Sequence, residues 1–306
     1  MTGLFNFRIG QATPANTFFA IWMAKEAKLY QAYGLDPQIV EVVGGKESGP
    51  DLASGRLHLM HIGMSSVVRA NAMGSQSVTV GSLSNIIRNT MFARPGITTA
   101  AQLKGGTIGI SSAGSETDTT TTLALRKLGL SRDDVTIKEI GVVRLDAVRN
   151  GEVDASLMGE PTRSQAYALG LHAIIDLYKE RTPWLYSGLV VDRAFLKSNR
   201  PQVLAFMKAT IEGNYVAVTD PVRAKQALAD FLGLRTQQDI DTTYANFKAE
   251  TPLLAEVTIE GAKNILDVMS GSGLKASLDD YIDTSIHDEL AQSGFFVEMK
   301  RKYPSA

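Results

Sequence analysis

Cysteine, long apolar runs and an excess of either charge are missing from this chain of 306 residues. Without cysteine there is no disulfide, no thiolate nucleophile and no cysteine metal ligand, although the redox compartment stays open. The longest apolar stretch near the N-terminus, Phe18 to Ala24, is far shorter than the roughly 20 residues that cross a bilayer. Lysine and arginine total 31 against 32 aspartate and glutamate, which gives no reason to expect nucleic acid or a membrane surface as a partner.

Signatures of enzymes and metal proteins are missing too. The stretch Gly44 to Gly49 only superficially resembles a phosphate loop, and neither Gly-x-Gly-x-x-Gly nor Gly-x-Ser-x-Gly occurs. His58 and His61 have the spacing of a metal pair, but residues three apart on a strand face opposite sides. We therefore expect no metal, no cofactor and no catalytic triad, and we expect the partner to be a small molecule.

The first ten residues lack the basic start, apolar centre and small-residue cleavage site of a secretory signal. The sequence therefore predicts either a cytoplasmic protein or the mature form of a periplasmic protein whose signal peptide has been removed. A content of 44% hydrophobic and 21% charged residues is typical of a globular chain, and the length suits two domains.

Short β-like runs alternate with longer helical patterns, which predicts an α/β fold. Gly34 is expected to end the first helix, and Pro37 to open the strand that follows it. The predicted strands are 5–9, 38–43, 77–83, 107–110 and 185–191. The predicted helices are 14–33, 116–128, 200–219, 222–232, 259–270 and 281–293.

Two segments resemble one another, Leu52 to Gly63 and Val148 to Gly159, and each reads as a helix end, a glycine turn and a short strand that closes on glycine. Any α/β protein repeats such units, but the similarity of these two echo segments favours two lobes of similar construction. Breaks at 93–96 and 181–184 mark two crossings between them. The predicted first lobe is 1–90 plus 190–306, and the second is 91–189.

Polar side chains follow several predicted strands at the point where each strand ends. Because ligands of open α/β sheets bind outside the carboxyl ends of strands, these residues are expected to form one cleft. The candidate ligand-binding residues are Thr13, Asn16, Ser65, Ser66, Ser84, Asn85, Ser111, Ser112, Ser115, Thr117, Glu160 and Trp184.

The loop 111–115 carries the most informative of these positions, because it leads from a strand into a helix. The unpaired N–H groups and positive dipole of a helix start suit an anion, and serine and threonine hydroxyls add donors. The alternative is that Ser115 and Asp118 form a cap with no ligand present. Thr13 and Asn16 carry the same two interpretations before the first helix, with Pro14 in its first turn.

Two further candidates have open roles. Glu160 follows the second echo segment and could accept a proton from a ligand or hold the backbone where the lobes join. Trp184 could supply an apolar wall to the cleft, although aromatic residues in such positions more often belong to the core.

In combination, Ala20 to Val40, Leu52 to His58, Asn150 to Ala155 and the pair Glu160-Pro161 resemble the nitrate/sulfonate/taurine group of ABC-transporter substrate-binding proteins. The resemblance extends to about Leu234. It implies a type II periplasmic-binding fold, in which two α/β lobes joined by two crossings hold a small ligand in the cleft between them.

That resemblance implies a monomeric solute-binding protein that captures a small organic or inorganic anion by hinge closure and is recognised by a membrane permease. The alternative is an enzyme on the same fold, of decarboxylase or synthase type, with Glu160 or a histidine as proton carrier. Relatives of this fold in thiamine-pyrimidine synthesis use a cysteine-rich motif, which this chain lacks.

Overall fold

The computed structural model describes residues 3–11, 15–42, 48–270 and 277–306. Its strands are β1 (Phe5–Gln11), β2 (Leu35–Glu41), β3 (Leu59–Ile62), β4 (Ser77–Ile86), β5 (Thr90–Ala93), β6 (Thr107–Ile110), β7 (Thr136–Glu139), β8 (Ala155–Met158), β9 (His172–Asp176) and β10 (Pro183–Asp192). No helix in the described part of the chain is both long and apolar enough to span a membrane.

The α-helices, interspersed with short 3-10 turns, follow in chain order. They are α1 (Phe19–Glu26), α2 (Leu29–Ala32), α3 (Ser48–Ala53), α4 (Met64–Ala72), α5 (Glu116–Lys127), α6 (Arg144–Arg149), α7 (Thr162–Ala168), α8 (Arg193–Ser198), α9 (Arg200–Thr219), α10 (Pro221–Leu232), α11 (Gln237–Glu250), α12 (Ile259–Ser270), α13 (Ser285–Gln292) and α14 (Phe295–Lys302).

The chain forms two compact units, each built on its own five-stranded sheet. Unit 1 comprises Met1–Asn85, Leu185–Ile259 and Ala276–Ala306, and its strand order is β2-β1-β3-β10-β4. Unit 2 comprises Ile86–Trp184 and Glu260–Lys275, and its strand order is β7-β6-β8-β5-β9. The predicted α/β class is confirmed, since helices connect parallel strands in both units.

The two echo segments occupy matching places in the two sheets. The strand β3 runs parallel to β1, as β8 runs parallel to β6. Gly55 and Gly151 turn the chain with φ of +71° and +74°, which L side chains rarely adopt. The next strand in each sheet, β10 or β5, is antiparallel to it. The similarity of the segments therefore extends to their local structure.

The core of unit 1 lies between its sheet and the helices α1 and α9. Phe7 and Ile9 of β1 are fully buried, as are Phe18 and Phe206 beside them. Each such side chain contributes about 1.5–3 kcal/mol when it leaves water. Gly213 allows α9 to approach α1, because a Cβ there would lie 2.7 Å from the carbonyl oxygen of Ala20.

The structure corrects three details of the predicted elements in unit 1. The helix expected over 14–33 is broken after Glu26, where Lys28 has a φ of +57°. Pro37 lies inside β2 and does not open it, which is tolerated because β2 is an edge strand. The strand expected to end at residue 83 continues to Ile86, because its pairing in the sheet continues.

The helix α12 lies almost entirely in unit 2, whereas the sequence assigned all of 190–306 to the first lobe. Contacts distant in sequence place it there. The side chain of Asn264 donates to the Pro183 carbonyl oxygen at 3.0 Å, and Arg126 of α5 donates to the Val268 carbonyl oxygen at 3.2 Å.

Candidate functional site

The carboxyl ends of β1 and β3 lie side by side in unit 1. Gln11, the last residue of β1, is paired with His61 of β3, so their side chains lie on the same face of the sheet. The ring of Phe18 meets the His61 ring edge-on at 5.3 Å. Gln11 is only 4% exposed, and its Nε2 has no hydrogen-bond partner among the described residues. Gln11 was not among the residues predicted from the sequence to bind a ligand.

Asn16 begins the short 3-10 helix Asn16–Phe18, which follows β1 and leads into α1. Its Nδ2 donates to the Thr243 carbonyl oxygen at 3.2 Å, which ties it to α11. Its Oδ1 is buried and has no partner in the described chain. The side chain does not cap the helix that it begins. Thr13, predicted beside it, lies outside the described residues.

Ser65 and Ser66 lie in the first turn of α4, directly after β3, as predicted. Ser65 is fully buried and Ser66 is 6% exposed. The backbone N–H of Ser66 donates to the Gly63 carbonyl oxygen at 3.1 Å. Because β3 neighbours β1, both serines stand at the same edge of the sheet as Gln11.

The sequence predicted that Ser84 and Asn85 follow a strand. In the structure both residues lie inside β4. The strand β10 separates β4 from β3, so neither residue adjoins the end of β1 through strand pairing. Asn85 Nδ2 donates to the Glu256 carbonyl oxygen at 2.8 Å. The side chain thereby fixes the segment that follows α11.

In unit 2 the hydroxyls of the loop after β6 bond to one another. Ser111 Oγ lies 3.0 Å from Ser115 Oγ and 2.6 Å from Thr117 Oγ1, and the latter two are 2.9 Å apart. Ser115 Oγ also accepts from the Asp118 N–H at 3.3 Å, as in a cap. Ser112 is half-buried beside them. These bonds favour the capping interpretation of the loop.

Carboxylates occupy the first turn of α5 as well. Asp118 accepts from the Gly114 N–H at 2.8 Å and from Arg132 at 2.6 Å. Glu116 accepts from the indole N–H of Trp184, which is fully buried. The positive end of the helix dipole is therefore already balanced by negative side chains. An anionic ligand near this turn would meet two carboxylates.

Glu160 follows β8, and its carboxylate is bound by residues of the next helix, α7. Its Oε1 pairs with Arg163 at 2.7 Å and its Oε2 accepts from the Ser164 N–H at 3.2 Å. Arg163 also lies 3.7 Å above the Tyr178 ring. Burial lowers the pKa of the Arg163 guanidinium, but the adjacent Glu160 carboxylate outweighs burial and raises it. These contacts give Glu160 a structural role.

His58 is part of an aromatic cluster. Its Nδ1 accepts from the Arg8 N–H at 3.1 Å, and its ring stacks on Phe195 at 4.9 Å. Burial and the Arg8 charge lower its pKa to about 4. Among the described residues no three His, Cys, Asp or Glu side chains are grouped as a metal site.

Comparisons with known proteins agree with this architecture. The family model described as NMT1/THI5 like matches residues 15–224. The riboflavin-binding protein RibY of Chloroflexus aurantiacus is 26% identical over 174 residues, which cover 55% of this chain. The aligned part is 48% of RibY, so the match spans about half the length of that relative.

Solved structures match over nearly the whole chain. The alkanesulfonate-binding protein SsuA from Xanthomonas axonopodis pv. citri, bound to MOPS, has a TM-score of 0.74 at 20% identity, covering 91% of this chain and 96% of SsuA. The periplasmic nitrate-binding protein NrtA from Synechocystis PCC 6803 has a TM-score of 0.74 at 14% identity, covering 95% and 89%. The predicted periplasmic-binding-protein fold is confirmed by these matches.

Proposed function

The chain belongs to the NMT1/THI5-like family, and we propose that it is the solute-binding component of an ABC importer. The fold and the family support a role in which the protein binds a small molecule. In this proposal the protein works in the periplasm.

The observation that carries the proposal is the pair of polar atoms without partners at the carboxyl end of β1. Gln11 Nε2 and Asn16 Oδ1 are buried in unit 1, and each buried polar atom left unsatisfied costs about 1–3 kcal/mol. A ligand that completes the hydrogen bonds of both groups would remove this cost and so stabilise the folded protein. Ser65 and Ser66, at the same edge, would line the site.

The proposed ligand is a small organic or inorganic anion of the sulfonate, nitrate or carboxylate type. The names of SsuA and NrtA support this class. The name of RibY points to a larger heterocyclic ligand, which belongs in the same screen. Hinge closure, recognition by a permease, a monomeric state and contacts from Ser111, Ser112, Ser115, Thr117 and Trp184 remain predictions.

An enzyme on the same fold is the competing function, and the contacts of two of its predicted proton carriers, Glu160 and His58, weigh against it. The Glu160 carboxylate is occupied by Arg163 and the Ser164 N–H. His58 is enclosed by aromatic rings and Arg8. We therefore expect a bound ligand to be recovered chemically unchanged.

A thermal-shift screen of nitrate, alkanesulfonates, carboxylates and riboflavin tests the proposal. A ligand at 100 times its Kd stabilises the folded protein by about 2.7 kcal/mol, which is readily detected. Any compound that binds is then incubated with the protein and followed by NMR. Saturable 1:1 binding without conversion supports transport, and catalytic turnover would establish the enzyme instead.

The loop in unit 2 has its own test. If the loop contacts an anionic ligand, Ser112→Ala and Ser115→Ala should each raise the Kd of that ligand measured by calorimetry. Unchanged affinity in both variants would remove the loop from the site and leave the capping role of Ser115 alone.

A further inference from the structure

The amide group of Asn16 has a defined orientation. Its one hydrogen-bond partner in the described chain is the backbone carbonyl oxygen of Thr243, 3.2 Å from Nδ2. A carbonyl oxygen only accepts, so the NH2 end must face Thr243 and the carbonyl end must face away from it. The atom that Asn16 leaves for another group is therefore an acceptor, Oδ1.

This acceptor is buried and unsatisfied. Asn16 is 5% exposed, and Oδ1 has no partner within the described residues. Asn71 in the same unit shows the ordinary arrangement for comparison. Its Nδ2 donates to the Ser77 and Asp280 carbonyl oxygens, and its Oδ1 accepts from the Ser77 N–H at 3.0 Å. No donor among the described residues completes Asn16 in the same way, which leaves Oδ1 available to a donor on a ligand.

An anion without hydrogen atoms on nitrogen or oxygen is a poor match for this atom. Nitrate and simple alkanesulfonates are pure acceptors at neutral pH, and their oxygens would face the Asn16 Oδ1 lone pairs. Gln11, at the end of β1, does offer a donor through Nε2. The two side chains together present one donor and one acceptor.

Given the proposed function, we infer that the ligand is an organic compound that carries an N–H or O–H group, which donates to Asn16 Oδ1. An acceptor of the same ligand, such as a carboxylate or sulfonate oxygen, receives the hydrogen bond of Gln11. This narrows the proposed anions to those with an amino, amide or hydroxyl group and excludes nitrate.

Paired probes with and without the donor group test this inference on the unmodified protein. The pairs are taurine with ethanesulfonate, lactate with propionate, and succinimide with N-methylsuccinimide, and nitrate is tested alone. We expect the donor-bearing member of a binding pair to have a Kd at least about tenfold lower, which corresponds to about 1.4 kcal/mol.

The variant Asn16→Leu should abolish this preference within the binding pair. Asn214→Leu is the matched control, because Asn214 also has a buried Oδ1 without a partner but lies within α9 and not in the segment that follows β1. It should leave the preference unchanged.

Equal or tighter binding of nitrate or of the donor-free members would overturn the inference while leaving solute capture intact. A preference that survives in Asn16→Leu would also overturn it. Failure of every probe to bind the unmodified protein would count against the proposed function and against the inference with it.

Discussion

Acid should destabilise unit 1 through His58, and the variant His58→Gln should remove that component. The imidazole lies between the rings of Phe5, Phe7 and Phe195, and Arg8 Nη2 is 2.9 Å from its Nε2. Protonation would place a second positive charge beside the arginine in a site with little water. The pKa of His58 is accordingly lowered from 6.5 to about 4.

The sign and size of the effect follow from that shift. Because the folded protein binds the proton less tightly than the unfolded chain, His58 contributes stability above pH 6.5, which is lost as the pH falls toward 4. One pKa unit corresponds to about 1.4 kcal/mol, so the loss between about pH 7.5 and about pH 4.5 is about 2–3 kcal/mol.

Urea unfolding at these two pH values, followed by circular dichroism, measures the loss. Between these pH values the free energy of unfolding of the unmodified protein should fall by about 2–3 kcal/mol more than that of His58→Gln. His172→Gln, which changes an exposed histidine of β9, should behave as the unmodified protein. An equal pH-dependent loss in His58→Gln and the unmodified protein would show that His58 does not cause the acid destabilisation.

Two other replacements test the packing of α9. Glu212→Gln should lower the free energy of unfolding by about 2–4 kcal/mol, because the buried carboxylate accepts from Lys302, Tyr33 and Tyr303. The exposed Glu298→Gln is the control in urea unfolding, and a similar loss in both variants would contradict the role of Glu212. Gly213→Ala should lower the free energy of unfolding by about 1–2 kcal/mol, since its Cβ would press on the α1 backbone. An unchanged Tm would show that α1 and α9 are less closely packed.

Local patterns in the sequence predicted much of the fold. The strand β6 and the helix α12 have the predicted bounds. Gly34 ends the first helical region with a φ of +84°, as predicted. The break at Lys28 could not be predicted, since no glycine or proline marks it and packing of α1 and α2 against α9 decides it.

Contacts distant in sequence explain the errors. The helix α12 belongs to unit 2 through side-chain bonds to Pro183 and from Arg126, which the amphipathic pattern of the helix does not encode. Likewise β4 continues through Ser84 and Asn85, although polar residues there suggest a loop.

The sequence predicted which strand ends carry polar residues more readily than it predicted the hydrogen bonds of their side chains. Residues after β1 and β3 were chosen correctly as strand-end positions, and Asn16 and Ser65 lie there. Gln11 was missed because it was read as the start of a loop, although a glutamine at the end of an apolar strand was a usable signal. That the hydroxyls of 111–117 bond to each other depends on loop geometry, which composition does not reveal.

The most direct test of ligand capture at the end of β1 is the side-chain amide NMR spectrum of uniformly 15N-labelled protein during titration with a compound that binds. We expect the amide signals of Gln11 and Asn16 to shift to saturation with the same Kd as calorimetry gives, while those of Asn71 do not move. Saturable binding that leaves the Gln11 and Asn16 signals unchanged would contradict it.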